Sequence, residues 1–147
     1  MTAKDYLKQA STLDKIIKAR ESYIQDLRDK LERTRATVHI DKVKFSKRID
    51  PMADLIAVLV DLINKNEKDV IRLLDLKEGI KKTIEALENP VHRLILFERY
   101  VNLKRWEDIA ADNKYEWNYL VYRLHPMALK AVNTLINEIN LLKNVKE

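Results

Sequence analysis

Cysteine is absent from this 147-residue chain, glycine occurs once and proline three times. Without thiols there is no disulfide, no thiolate metal site and no cysteine nucleophile. Turn residues are too sparse for an all-β fold, which needs them at intervals of about 8 to 12 positions. A lone glycine also excludes a glycine-rich phosphate loop. No apolar run approaches the roughly 18 residues of a membrane span, and the N-terminal residues lack the apolar core of a secretory signal. No membrane partner and a cytoplasmic location are therefore expected.

Helix formers dominate what is present. With 35% charged and 46% apolar residues, the composition is that of long helices with apolar seams, and an all-α class is expected. The net charge of +5 and the pI near 9.3 permit a nucleic-acid partner. Residues 1–50 carry 13 Lys/Arg against 8 Asp/Glu, residues 51–90 carry 6 against 8, and residues 91–147 carry 9 against 7. The basic excess thus sits at the two ends.

Residues 4–33 repeat apolar groups at heptad spacing, with Ala10, Ile17, Ile24 and Leu31 in one set and Tyr6, Leu13 and Leu27 in the interleaved one. Arg20 interrupts this seam. A helix of about 30 residues is about 45 Å long and needs a partner. Asp50-Pro51 is a helix-start signal, and from Leu55 to Leu87 apolar residues recur at helical spacing, weakened at Asn66, Asp69 and Gly79, where a break is possible. Residues 34–48 lose the helical period. Val38, Ile40, Val43 and Phe45 alternate there with Lys42, Lys44, Lys47 and Arg48. An ordered loop pinned by its apolar residues is expected, the alternative being an arm that contacts phosphates.

Three shorter helices follow. One starts at Pro90 with Leu94, Ile95, Phe97 and Val101 on its buried side; a second spans residues 106–111; a third runs from Tyr115 to about Leu142, bent at Pro126. The second and third must pack at a steep angle, which needs a small residue at the crossing and apolar residues around it. Ala110 is the small residue, and Trp106, Ile109, Trp117, Leu120 and Leu124 the apolar ones. Asn118, Tyr119, Tyr122 and Arg123 then face outward near the start of the third helix, where a recognition helix meets base edges in the major groove. Arginine can pair with guanine and asparagine with adenine. Lys104, Arg105 and Lys114 lie in the turns, suited to hold the phosphate backbone. Tyr122 and Tyr119 can reach phosphates or thymine methyls, and Arg123 could alternatively pair with Glu107 or Glu116.

Within residues 89–129, Arg99-Tyr100, Glu107 to Ala110, Leu120, Arg123 to His125 and Ala128-Leu129 stand at matching positions of a known pattern. The segment resembles region 4 of sigma-70-type transcription factors, and the whole chain is similar to the phage ArpU-type family of late-operon regulators. Three features depart from that pattern. Arg105 replaces a capping serine, Asn113-Lys114 a Leu-Gly turn, and Glu116-Trp117 a serine-led start of the recognition helix.

The resemblance implies a phage-encoded, sequence-specific DNA-binding regulator, an activator of late genes acting in the bacterial host cytoplasm. Residues 1–88 would form a helical hairpin that dimerises or touches RNA polymerase, and residues 89–147 a helix-turn-helix module that binds double-stranded DNA. The alternatives are a small terminase-like packaging protein and a helical protein that sequesters another factor. No cofactor is expected. His39, His92 and His125 are far apart with no second ligand at metal spacing, so no metal site and no enzyme activity are expected.

Overall fold

The chain is all-α. The structure, a computed structural model, describes residues 1–40 and 51–146. Helix α1 covers Ala3–Ile40, α2 Pro51–Glu85, α3 Pro90–Leu96, α4 Trp106–Asn113, α5 the single turn Trp117–Tyr119, and α6 His125–Val145. Two π-helical turns interrupt the regular backbone, Phe97–Val101 after α3 and Leu120–Leu124 between α5 and α6. Helix α1 therefore continues seven residues past Arg33, and the loop expected from residue 34 is helical as far as Ile40. Heptad register was lost there, but helix formers such as Arg33, Arg35 and Ala36 continue, and helical propensity does not require an apolar seam. The basic residues Lys42, Lys44, Lys47 and Arg48 lie outside the described residues. Helix α2 runs without a break through Asn66, Asp69 and Gly79.

The described residues divide into two compact units, one made of Met1–Thr12 with Leu73–Glu147, the other of Leu13–Arg72. In the second unit Ile24, Leu27 and Leu59 are buried together, with Leu31, Leu55, Leu62 and Ile63 packed around them. Ile17 and Arg20 meet Asn66 and Asp69, whereas Ile24 and Leu27 meet Leu59, so α1 and α2 run antiparallel here. The polar interruptions of the two seams satisfy one another. A single nitrogen of Arg20 donates to Asp69 at 2.6 Å and to Asn66 at 3.2 Å, and the buried Asn66 amide donates to the Ile17 carbonyl at 3.5 Å.

In the first unit the core is drawn from Leu7, Ile80, Ile84, Leu96 and Val132. Asn133 accepts from the Ala3 backbone at 3.0 Å, and the Tyr6 and Thr83 hydroxyls lie 3.3 Å apart. Helix α3 starts where the sequence predicts. The Asn89 side chain accepts from the Val91 and His92 N–H groups, and Pro90 occupies the first turn, where a missing N–H costs nothing. Arg93 fastens this corner by donating to the Leu87 carbonyl at 2.6 Å. One detail of the expected core changes. Leu94 is exposed, while Leu96 and Tyr100 are buried. The π turn from Phe97 adds a residue to the helical cycle, which places Tyr100 on the side of the buried Ile95 five residues before it.

Candidate nucleic-acid interface

The C-terminal unit holds the segment that the sequence singles out. Ile95, Ile109, Ala110, Leu120 and Leu124 form one buried cluster, with Val91, Trp106 and Tyr115 against it. Ala110, on α4, is buried in that cluster together with Leu120 and Leu124 of the following helical segment.

Both turns that frame α4 depend on residues in the left-handed backbone region. Before α4, Leu103 has φ 57°. The Lys104 N–H reaches back to the Glu98 carbonyl at 3.0 Å, six residues away, because the preceding π turn lengthens the cycle. Arg99 closes this turn by donating to the Lys104 carbonyl at 2.9 Å. After α4, Lys114 takes φ 57° and ψ 38°. The Tyr115 N–H bonds the Ala110 carbonyl at 2.9 Å and the Lys114 N–H bonds that of Ala111 at 3.4 Å. This pair is a Schellman ending, usually built on glycine, and Lys114 occupies the glycine place without glycine's freedom.

The turn cations are tied to carboxylates. Lys104 reaches Glu98 and also Asp112, the latter at 3.0 Å, and the hydrogen bonds it donates to these two carboxylates hold its ammonium above the ordinary lysine range. Arg105 is the N-cap residue of α4 but contributes no capping bond; its guanidinium pairs with Asp108 at 3.2 Å. Among the described residues, Lys114 and Arg123 have no ion pair, and neither Glu107 nor Glu116 bridges to Arg123.

Beyond the second turn the chain is helical from Trp117 onward, first as α5 and then as the π turn. Pro126 lies just inside α6 and cannot donate to the carbonyl of Tyr122 as a regular helix would require. The π turn immediately before it moves the bonding to longer range, as in His125 N–H to Leu120 carbonyl. Asn118, Tyr119, Tyr122 and Arg123 all lie on the exposed side of this segment, with Lys114 exposed in the turn before it. Tyr119 stands 6.4 Å from Tyr115, ring to ring.

Trp117 departs from expectation. The sequence assigns it to the core, but it is 38% exposed and meets Tyr122 edge to face at 5.7 Å. Its position at the very start of the helix extends it past the cluster that Leu120 and Leu124 fill. The signal available in the sequence was its replacement of a polar helix-start residue. Trp106, in contrast, packs inward on His125 at 4.5 Å, with the Arg99 guanidinium over the Trp106 ring, 4.9 Å from its centroid. His125 is buried and bonded to the Tyr100 hydroxyl at 2.6 Å. Burial, followed by the charges of Lys4, Arg99 and Lys8, pushes its imidazole down to about 4, and burial pushes the Tyr100 phenol up to about 12. His125 is thus a neutral structural residue.

No family model, curated protein or solved structure matches the chain. Among the described residues no helix is long and apolar enough to cross a membrane, and no cluster of three or more His, Asp or Glu could hold a metal ion.

Proposed function

We propose that the C-terminal segment is a helix-turn-helix module that binds double-stranded DNA in a sequence-dependent way, as part of a phage-type late-gene regulator. The observation that carries this reading is the exposed row Asn118, Tyr119, Tyr122 and Arg123 on the helix that follows a tight turn and packs across α4. A recognition helix needs this: side chains able to read base edges, held on a rigid element by an apolar cluster behind them. Arg123 and Asn118 supply the hydrogen-bonding chemistry for guanine and adenine, and the tyrosines reach phosphates or thymine methyls. Lys114 supplies a phosphate contact from the preceding turn. Lys104 and Arg105 reach phosphate only by leaving Glu98, Asp112 and Asp108, so they add less to binding than their charge suggests. The resemblance to sigma region 4 supports the same docking and implies RNA polymerase as a further partner.

Selection from a random duplex library, followed by salt titration of the enriched sequence, tests the proposal. Enrichment of one sequence, with affinity falling as salt rises, is expected. Failure to enrich any duplex at low salt would remove the DNA-binding reading.

A further inference from the structure

Within the Leu13–Arg72 unit, helix α2 carries two apolar rows at heptad spacing, one residue out of step. The first row, Leu55, Leu59, Leu62, Asn66 and Asp69, faces α1. The second, Ile56, Val60, Ile63, Glu67 and Val70, starts at the next residue and repeats the same alternation of four and three. Ile56, Val60 and Val70 on this second row are 42%, 49% and 39% exposed, too apolar a row to be left to solvent by chance. Its spacing is that at which side chains enter the holes of a facing helix, so the occupant it fits is a helix.

The groove beside this row says which helix. Arg28 and Ile24 line it from α1, and Ile63, Glu67 and Val70 from α2. Among the described residues neither Arg28 nor Glu67 has an ion pair. The groove thus sets an unpaired cation on α1 and an unpaired anion on α2 beside the apolar row, with Glu21, Gln25 and Asn66 as its other polar lining, and such a surface can pair with a copy of itself.

We propose that a second copy of this chain covers this row, with the α2 helices of the two copies antiparallel about a two-fold axis and the α1 helices completing a four-helix bundle. Antiparallel heptad pairing sets Val60 against the partner's Val70 and Ile63 against the partner's Glu67. Because Arg28 and Ile63 line one groove, this pairing brings the long Arg28 side chain toward the partner's Glu67, and the two-fold axis repeats that ion pair. The second copy therefore covers the second row of each chain and supplies the counter-charge that each copy lacks.

Sedimentation equilibrium of the full chain, without DNA, tests this independently of the proposed function. A dimer is expected at micromolar concentration. Glu67→Arg and Arg28→Glu should each weaken it by about tenfold or more through like-charge contact, and the double variant should regain the dimer. Circular dichroism checks that each variant keeps its helices. A monomer at every concentration, or a double variant no better than either single one, overturns the proposal. The register has its own test, because the chain has no cysteine of its own. Val60→Cys mixed with Val70→Cys should crosslink on oxidation while either alone does not; equal crosslinking of each alone rejects the pairing.

Discussion

Trp117 and Tyr122 are five residues apart, yet their rings meet edge to face at 5.7 Å. In an α-helix five residues carry a side chain about 140° around the axis, away from such contact. The π turn Leu120–Leu124 lengthens the cycle and brings the two rings together. Proline at 126 and the aromatic pair at 117 and 122 are thereby parts of one local arrangement, and the pair stands at the edge of the exposed row proposed to meet DNA.

If that row reads bases, Arg123→Ala and Tyr122→Ala should abolish sequence-specific binding while leaving the far-UV circular dichroism unchanged. Trp117→Ala should weaken binding less, by freeing the Tyr122 ring. Gel-shift titration against the selected duplex measures all three. Full binding by Arg123→Ala and Tyr122→Ala would remove the site assignment.

Lys114 separates stability from binding. Its left-handed backbone favours glycine, so Lys114→Gly should stabilise the fold by about 1 kcal/mol in chemical denaturation. The same change removes the phosphate contact proposed for Lys114 and should lower affinity for all duplexes alike, reducing the salt slope by about one unit. Loss of stability would contradict the strain argument.

Gly79 sits inside α2 with ordinary helical backbone, and a methyl group there would meet only the Tyr6 hydroxyl, at 3.6 Å. Nothing needs to move. Gly79→Ala should therefore raise stability by about 1 kcal/mol through helix propensity and a less flexible unfolded chain. An unchanged or lower denaturation midpoint would count against the placement of α2.

The Arg20–Asp69 pair is half-buried and shares its donor with Asn66. Arg20→Leu alone should destabilise by roughly 1–3 kcal/mol, since it strands Asp69 and Asn66. Adding Asp69→Leu should recover most of that loss, because an apolar pair fits the seam. Urea denaturation of the single and double variants decides this; a double variant weaker than the single one would show the ion pair to be favourable in itself.

His125 sets an acid limit. Its ordinary value is 6.5 and the folded value is about 4, so between these the unfolded chain binds the proton more readily. Stability falls as pH drops through that window and levels off below it, by an amount on the order of 3 kcal/mol from this group. His125→Gln should flatten the pH dependence of the denaturation midpoint between pH 6.5 and 4. A parallel profile in the two proteins would show that the carboxylates alone carry the acid sensitivity.

Much of the helical framework was legible from periodicity and punctuation. Asn89-Pro90 marks the start of α3 because an asparagine cap and a first-turn proline act through the backbone nearest to them. The outward row at 118, 119, 122 and 123 followed from the inward placement of Leu120 and Leu124. Over residues 34–40 the loss of the apolar period does not mark a helix end, because helical propensity needs no apolar seam. Trp117 misled because its apolar face has no core behind it.

The amino-acid sequence by itself determined an all-α chain, the start of α3 and the apolar stripes, since these depend on local backbone chemistry and spacing. Only the tertiary structure decided that Arg20, Asn66 and Asp69 satisfy one another, because their partners are more than forty positions away along the chain. It likewise decided that Lys104 and Arg105 are held by carboxylates while Lys114 and Arg123 are not. Charge can be counted along a sequence, but whether a charge is already paired depends on which side chains the packing of the helices brings within reach.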